Sequence, residues 1–191
     1  MIKRLTLVAM FTAIVAMLAY MGGFIKIGAL ASISLTLIPV VLGGALCGPI
    51  VGAWLGLVSG AVFFATADAA YWLGLSVGGT IVTVLVKGLM AGLLAALTFK
   101  LLKNVNRYLA IIASAVVAPV VNTGLFILGC FLFFFDNTVA GAANAGQSLF
   151  VFIIVGYIGL NFVLELLANI LISPALLRIL NIKSGNIKSK N

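Results

Sequence analysis

Long uncharged stretches dominate the pattern of polar and apolar positions along the chain. Five of these stretches are Leu5–Gly22, Ile27–Ala67, Ala69–Val86, Tyr108–Phe135 and Asn137–Leu164. A helix that crosses the hydrocarbon core of a bilayer needs about 20 mostly apolar residues. The pattern therefore predicts an all-α integral membrane protein with six transmembrane helices, at about 5–22, 29–47, 49–66, 77–99, 108–134 and 150–179.

The segments between these helices are short. The sequence "CGPI" at 47–50 predicts a tight turn, because Pro49 suits the first turn of the helix that follows. Two stretches, "ATADAAYWLGLS" at 65–76 and "FDNTVAGAANAGQSL" at 135–149, predict external loops. We therefore expect one six-helix membrane domain over residues 1–182, followed by a basic cytoplasmic tail at 183–191.

Composition indicates that lipid is the solvent for most of this chain. Of its 191 residues, 64% are hydrophobic and 7% are charged, which is more apolar surface than a soluble core of this length can bury. The first apolar stretch follows Lys3 and Arg4 as in a signal peptide, but no small-residue cleavage site leads into a soluble domain. We therefore interpret this stretch as the first membrane helix.

The positions of the basic residues predict the orientation of the chain. If six helices alternate, nine basic residues lie on one side of the membrane and Lys26 lies on the other. The nine are Lys3, Arg4, Lys100, Lys103, Arg107, Arg178, Lys183, Lys188 and Lys190. By the positive-inside rule both termini are cytoplasmic. The net charge of +8 is then a topology signal rather than a sign of nucleic-acid binding.

Residues that carry metal, redox or hydrolytic chemistry are scarce. The chain has no histidine, and its two cysteines, Cys47 and Cys130, lie far apart in apolar helical context, as buried small side chains do. We therefore expect no zinc or haem site and no cofactor. Of three acidic residues, one lies within a predicted helix, which leaves little for an intramembrane hydrolase that needs a nucleophile with a base or metal ligands.

A polar layer is predicted in the outer half of the membrane. Lys87 lies 13 residues before the first cytoplasmic charge after its helix, Glu165 lies 13 residues before the charge that ends its helix, and Asn122 lies 15 residues after the charge that precedes its helix. At about 1.5 Å per residue, all three lie about 20–22 Å above the inner surface of a core about 30 Å thick. A cation, an anion and an amide are thus expected at one depth.

Further polar side chains extend this layer along two helix faces. They are Ser76, Thr80 and Thr83 on the helix of Lys87, and Tyr157, Asn161 and Asn169 on the helix of Glu165. Such stripes face a bundle interior or a cavity, because lipid would leave them unsatisfied. Two compatible interpretations stay open: a structural ion pair between Lys87 and Glu165, and a pocket for a small polar ligand. The candidate ligand-binding residues are Lys87, Asn122, Glu165, Asn161, Thr83, Thr80, Tyr157 and Trp72, the last as an aromatic platform.

Small residues form stripes on other helices. Thr6, Ala9, Ala13 and Ala16 share one face of the first helix, and Gly48, Gly52, Gly56 and Gly60 recur every four residues on the third. Small side chains let helix backbones approach closely. For these glycines, and for Gly88 and Gly92 on the fourth helix, we expect packing inside the bundle. For the alanines, internal packing and a docking face for a second membrane protein both stay open.

Together these features resemble the substrate-binding S components of energy-coupling factor (ECF) vitamin transporters. The resemblance covers nearly the whole chain and is carried by "AMFTA" at 9–13, "LTLIPVVLGGALCGPIVGAWLGLVSGAVFF" at 35–64 and "NTGLFILGCFLFF" at 122–134. The first segment matches the alanine motif with which S components meet the transmembrane coupling (T) subunit, which implies docking by Ala9, Ala13 and Ala16. The third is similar to a helix of members assigned to pantothenate and related vitamins.

The resemblance also implies a function and a set of partners. An S component binds its vitamin near the outer face, between helices four to six and the external loops, and then topples in the membrane to face the cytoplasm. The T subunit and two ATPases drive this cycle, and this chain has no phosphate-binding glycine loop of its own. Glycine-rich loops, here 22–28 and 135–149, would serve as gates.

The identity of the ligand and one other class of function stay open. Lys87 would bind the carboxylate of pantothenate, while Asn122, Asn161 and the helix hydroxyls would bind its amide and hydroxyl groups. Glu165 at the same depth favours a neutral ligand instead, of the pyridoxine, hydroxymethylpyrimidine or riboflavin type. We expect pantothenate. In another class, an ion-coupled carrier or channel could use Lys87 and Glu165 as a relay, although the sequence lacks the paired broken helices of inverted-repeat carriers.

Overall fold

The computed structural model describes residues 2–22, 35–159 and 162–172, and the regular structure of these residues is helical. The helices are α1 (Ile2–Gly22), α2 (Leu37–Cys47), α3 (Pro49–Phe63), α4 (Ala67–Leu75), α5 (Val77–Leu102), α6 (Arg107–Phe133), α7 (Phe135–Asn144) and α8 (Leu149–Phe152). A π-helical segment, Ile153–Ile158, continues α8, and α9 spans Phe162–Ile172. The all-α prediction is confirmed for these residues.

Three of the helices, α1, α5 and α6, are each long and apolar enough to cross a membrane. Two helix pairs have the composition of a span but are sharply bent: α3 meets α4 at 84°, and α7 meets the helix that begins at Leu149 at 99°. The apolar helices α2 and α9 are shorter. Among the described residues, length and composition give three spans, or up to five if each bent pair is one span. The count of six spans and the cytoplasmic placement of the termini stay predictions.

The prediction that these two segments are loops is wrong, because most of each segment folds as a short helix. Their external placement stays a prediction. In α4, Thr66 is extended just before the helix and Asp68 lies in its first turn, where the helix dipole favours a carboxylate. In α7, Thr138 and Ala142 lie one turn apart and are both buried, and the Thr138 hydroxyl donates to the Phe134 carbonyl at 2.8 Å. The sequence interpretation gave weight to the glycines and polar residues of the second segment and overlooked this one-sided burial.

Several predicted helix limits also differ from the structure. The second helix begins at Leu37, the third ends at Phe63 and the fourth extends to Leu102. The predicted sixth helix is interrupted by the π-helical segment and by Gly159, whose φ of 28° lies in the left-handed region. The predicted tail, Lys26 and most of the predicted gate loop at 22–28 lie outside the described residues.

Glycine contacts hold α3 against α5 at backbone distance. Gly52 faces Gly92 and Gly56 faces Gly88, so closely that a methyl group added at any of these four positions would overlap the facing carbonyl oxygen. This confirms the predicted internal packing of the glycine stripe. Gly48 departs from the stripe, because it forms the turn between α2 and α3 with a φ of 101°, a conformation that glycine adopts without steric cost.

The opposite side of α5 is covered by α6 and by short helices at its two ends. Gly129 of α6 lies directly against the Thr83 side chain. Towards Lys100, an apolar core that includes Phe99 joins α5 to α2 and α6. Towards the other end, Trp72 of α4 packs in a largely aromatic cluster with side chains at the end of α6. Because α5 is held between α3 and α6, its position along its own axis and its rotation about that axis are fixed, and so are the directions of its inward-facing side chains.

Candidate ligand-binding site

The ammonium of Lys87 is held at the face of an aromatic ring. Its Nζ atom lies 4.8 Å from the centroid of the Phe126 ring, within the range of about 6 Å over which the ring quadrupole attracts a cation. Both side chains are half-buried. Lys87 directly precedes Gly88, whose contact with α3 fixes this turn of α5. The charge is thus partly compensated by a ring from a neighbouring helix.

Glu165 supplies the opposite charge from α9. This residue is 2% exposed, and its charge interacts favourably with that of Lys87. Asn169, one turn further along and 1% exposed, donates from Nδ2 to the backbone carbonyl of Glu165 at 2.8 Å. The structure therefore brings a cation and an anion from two helices together, and Lys87 is the more accessible of the two.

The two threonines of the predicted site differ in what they contact. The Thr80 hydroxyl is satisfied within the fold, because it donates toward the backbone carbonyls of Trp72 and Ser76, each at 2.7 Å, and so ties α4 to α5. Thr83 is 5% exposed, and its Oγ1 has no hydrogen-bond partner among the described residues. A buried hydroxyl left unpaired costs about 1–3 kcal/mol. Of the two threonines, Thr83 is thus the one whose hydroxyl the described residues leave unpaired, in a position packed against Gly129.

An aromatic wall borders the site on the side of α4. Trp72 contacts Phe126 edge-to-face, with ring centroids 5.2 Å apart, and contacts Phe134 with centroids 5.4 Å apart. Cys130, which is 1% exposed, belongs to the same cluster. Trp72 was predicted to offer a platform to a ligand, but it is 9% exposed. Trp72 therefore lies within the wall, and the ring that contacts Lys87 is that of Phe126.

The sequence interpretation missed Phe126. This residue follows Asn122 by four positions and precedes Cys130 by four, which places all three on one face of α6. Asn122 is half-buried on that face. The spacing of one helical turn from a predicted polar residue is the signal that could have found Phe126.

For two of the three polar-layer residues, the residue count behind the predicted depth runs along an unbroken helix, and the depth itself stays a prediction. Both α5 and α6 are continuous between their polar residue, Lys87 or Asn122, and the basic residue from which its depth is counted. For Glu165, the corresponding basic residue lies outside the described ranges. Asn161 and the side chain of Tyr157 also lie outside them, so their part in the site stays a prediction.

The small residues of α1 face away from the described bundle. Ala9 and Ala13 are exposed and Ala16 is half-buried. The packed face of α1 is the opposite one, where Val15 is fully buried against α2 and α3. The alanine stripe is thus on the outer surface of the described helices and is not covered by them.

Two hydrogen bonds hold α1 in this rotation. The Arg4 guanidinium donates to the backbone carbonyl of Cys47 at 2.7 Å, where α2 ends, and a cation is favoured at the C-terminal end of a helix. The Trp54 indole donates from Nε1 to the Thr12 hydroxyl at 3.2 Å. Both bonds connect α1 to the α2–α3 hairpin and leave the alanine stripe uncovered.

Comparison with known proteins gives one match, to a family. The family model of the ECF transporter substrate-specific component matches residues 3–177, which is almost the whole chain. The chain belongs to this family. Comparisons with curated proteins and with solved structures gave no match.

Family membership gives the general function of this S component. The chain is a membrane-embedded transport subunit that binds a small-molecule substrate, rather than an enzyme, and it associates with the T subunit and the ATPases of an ECF module. The resemblance seen in the sequence is confirmed. Among the residues that the structure describes, three apolar helices are long enough to span a bilayer, which agrees with this assignment.

The favourable interaction between the charges of Lys87 and Glu165 leads to a prediction about stability. Lys87→Met and Glu165→Gln each remove one charge and leave the other without its oppositely charged partner in an apolar setting. Each variant should lower the free energy of unfolding. Breaking a fully buried ion pair costs about 3–5 kcal/mol, and the loss here should be smaller because Lys87 is half-buried. The double variant should lose less than the sum, with a coupling energy of about 0.5–3 kcal/mol. Equilibrium unfolding of the purified protein in detergent measures these values.

The matched control for this cycle is Lys100→Met, an exposed lysine on the same helix. Its effect should stay within about 0.5 kcal/mol. Strict additivity of the two substitutions at Lys87 and Glu165 would contradict the pairing.

Proposed function

We propose that this S component captures pantothenate at the site around Lys87 for ATP-driven uptake across a prokaryotic plasma membrane. The observation that carries the proposal is the unequal burial of the two charges: Lys87 is half-buried, whereas Glu165 is 2% exposed. A ligand that enters therefore meets the ammonium before it meets the carboxylate. An organic anion complements that ammonium, and charge-assisted hydrogen bonds are among the strongest that a site can offer.

The neighbouring polar groups suit the rest of this molecule. Pantothenate carries an amide and hydroxyl groups along an aliphatic chain that ends in the carboxylate. The Thr83 hydroxyl has unused hydrogen-bonding capacity, and Asn122 presents an amide from α6, where it is half-buried. A side-chain amide both donates and accepts, so it can pair with either kind of ligand group.

A neutral planar vitamin is the second candidate, favoured by the aromatic wall. The edge-to-face pair of Phe126 and Trp72 offers an aromatic surface on which a pyridoxine-like, hydroxymethylpyrimidine-like or riboflavin ligand could pack. The charge of Glu165 also opposes an anion at short range. The Lys87 side chain, which is less buried than that of Glu165, ranks pantothenate first.

The proposed ligand is tested by titrating the purified S component with pantothenate and, separately, with pyridoxine. We expect calorimetry to show pantothenate binding in the micromolar range or tighter. Lys87→Met should weaken this binding at least about tenfold, which corresponds to about 1.4 kcal/mol, because the carboxylate loses its cationic partner. Lys100→Met should bind like the wild type. Binding of pyridoxine alone would overturn the assignment to pantothenate.

We also propose that Ala9, Ala13 and Ala16 form the contact with the T subunit. The first two are exposed and the third is half-buried, so they leave a shallow groove along α1. A partner helix can approach such a groove to backbone distance. Met10 and Met17, which are 56% and 64% exposed, border the groove on one side.

A tryptophan placed in this groove should block assembly. Ala13→Trp fills the groove, so co-purification of the T subunit and ATPases with the tagged S component should fall at least about tenfold, as bulky groups abolish close helix packing. Pantothenate binding to the isolated S component should persist, because the stripe is separate from the Lys87 site.

The matched control is Ile14→Trp, which changes a 43% exposed residue about 100° away around the helix. Assembly of this variant should resemble that of the wild type. An Ala13→Trp variant that assembles normally but no longer binds ligand would show that the stripe supports internal packing instead.

A further inference from the structure

We propose that Phe126 is the positioning residue that fixes the Lys87 ammonium for an anionic ligand, and that it thereby sets the preference of the site for an anion over a neutral molecule. The proposal deepens the function given above and rests on it only for the identity of the ligand. Phe126 has no charge and was not among the candidate residues, so its part follows from the geometry alone.

The contact compensates the charge without consuming the hydrogen-bond donors of the lysine. An ammonium group has three N–H donors. The ring face of Phe126 attracts the group as a whole from 4.8 Å through its quadrupole, which is not a directed hydrogen bond. Glu165 acts on the same charge from α9. The remaining donor capacity of Lys87, a half-buried residue, is available to a ligand carboxylate.

The ring that holds Lys87 is itself fixed. Phe126 meets Trp72 edge-to-face at 5.2 Å and 83°. Trp72 is fixed in turn by Phe134, at 5.4 Å, and by the Thr80 hydroxyl, which donates to the Trp72 carbonyl at 2.7 Å. This series of contacts joins α4, α5 and α6. The ring therefore cannot turn away from the ammonium without disturbing the aromatic wall.

Another phenylalanine of the same helix offers a contrast. Phe131 is 46% exposed, and its ring contacts Phe135 with centroids 6.2 Å apart. Substitution of Phe131 removes an aromatic ring from α6 without touching the ring that faces Lys87. Phe131→Leu is therefore the matched control for Phe126→Leu.

The loss of the ring should change selectivity rather than affinity in general. Without Phe126, the flexible lysine chain is free to move towards Glu165 and to form a closer ion pair. The site then presents a neutral pair instead of a held ammonium. A ligand carboxylate loses its fixed partner, whereas an uncharged group at the same place loses little.

The test compares pantothenate with its neutral alcohol analogue, in which CH2OH replaces the carboxylate. For Phe126→Leu, we expect pantothenate affinity to fall about tenfold, the size of a desolvated cation–π contact, while the affinity for the alcohol changes less than about twofold. Phe126→Tyr should restore the wild-type ratio, because it keeps the ring face, and Phe131→Leu should not alter the ratio. An equal fall for both ligands would overturn the proposal and show a structural role only.

A second measurement judges Phe126 without any ligand. In protein labelled with 13C at the lysine ε position, the NMR signal of Lys87 is assigned by its loss in Lys87→Met. Ring current should shift its ε protons upfield in the wild type and in Phe126→Tyr, and should not in Phe126→Leu. If the wild type binds neither compound, pantothenate is the wrong ligand, but the Lys87 signal still tests the contact with Phe126. A Lys87 shift that is unchanged in Phe126→Leu overturns the proposal.

Discussion

The rest of the structure depends on how one charge is compensated within an apolar bundle. On insertion scales, a lysine at the centre of a membrane helix costs about 2.5–3.5 kcal/mol. A cation–π contact such as that of Lys87 with Phe126 returns about 0.5–2 kcal/mol, and the favourable interaction with Glu165 adds to it. These partners come from α6 and α9. The charge that is costly for α5 therefore connects this helix to two others, and the place where they meet is the candidate site.

This compensation requires that α5 stay at a fixed height and rotation. The carbonyl contacts between Gly56 and Gly88 set both from the side of α3, while the aromatic wall behind Phe126 sets the position of the ring from the side of α4. The alanine stripe of α1 takes no part in either arrangement. The proposed ligand site and the proposed docking stripe lie on separate helices, so under these proposals this S component binds its substrate and its T subunit through independent surfaces.

The sequence predicted the features that depend on periodicity within one helix. Four-residue spacing located the glycine packing. Counting residues from the flanking charges placed Lys87 and Glu165 at one depth in the membrane. Sequence reasoning did not predict Phe126: the one-turn spacing from Asn122 was a signal, but an aromatic residue in a membrane helix has the same local pattern whether it faces lipid or a lysine. The helices α4 and α7 were missed for a related reason: burial of Thr138 depends on neighbours that local composition does not identify. Sequence reasoning thus found the charges and missed the aromatic ring that contacts one of them.

The central claim is that the vitamin binds beside Lys87 and the aromatic wall, and Trp72 is positioned to report it. The chain has two tryptophans, and the other, Trp54, lies on α3 in contact with α1. In a Trp54→Phe background, Trp72 is the sole tryptophan, so its emission follows the wall alone. We predict that pantothenate changes this emission saturably, with the same affinity that calorimetry gives. Calorimetric binding of pantothenate with no change in Trp72 emission would contradict the account, because the ligand would then lie elsewhere.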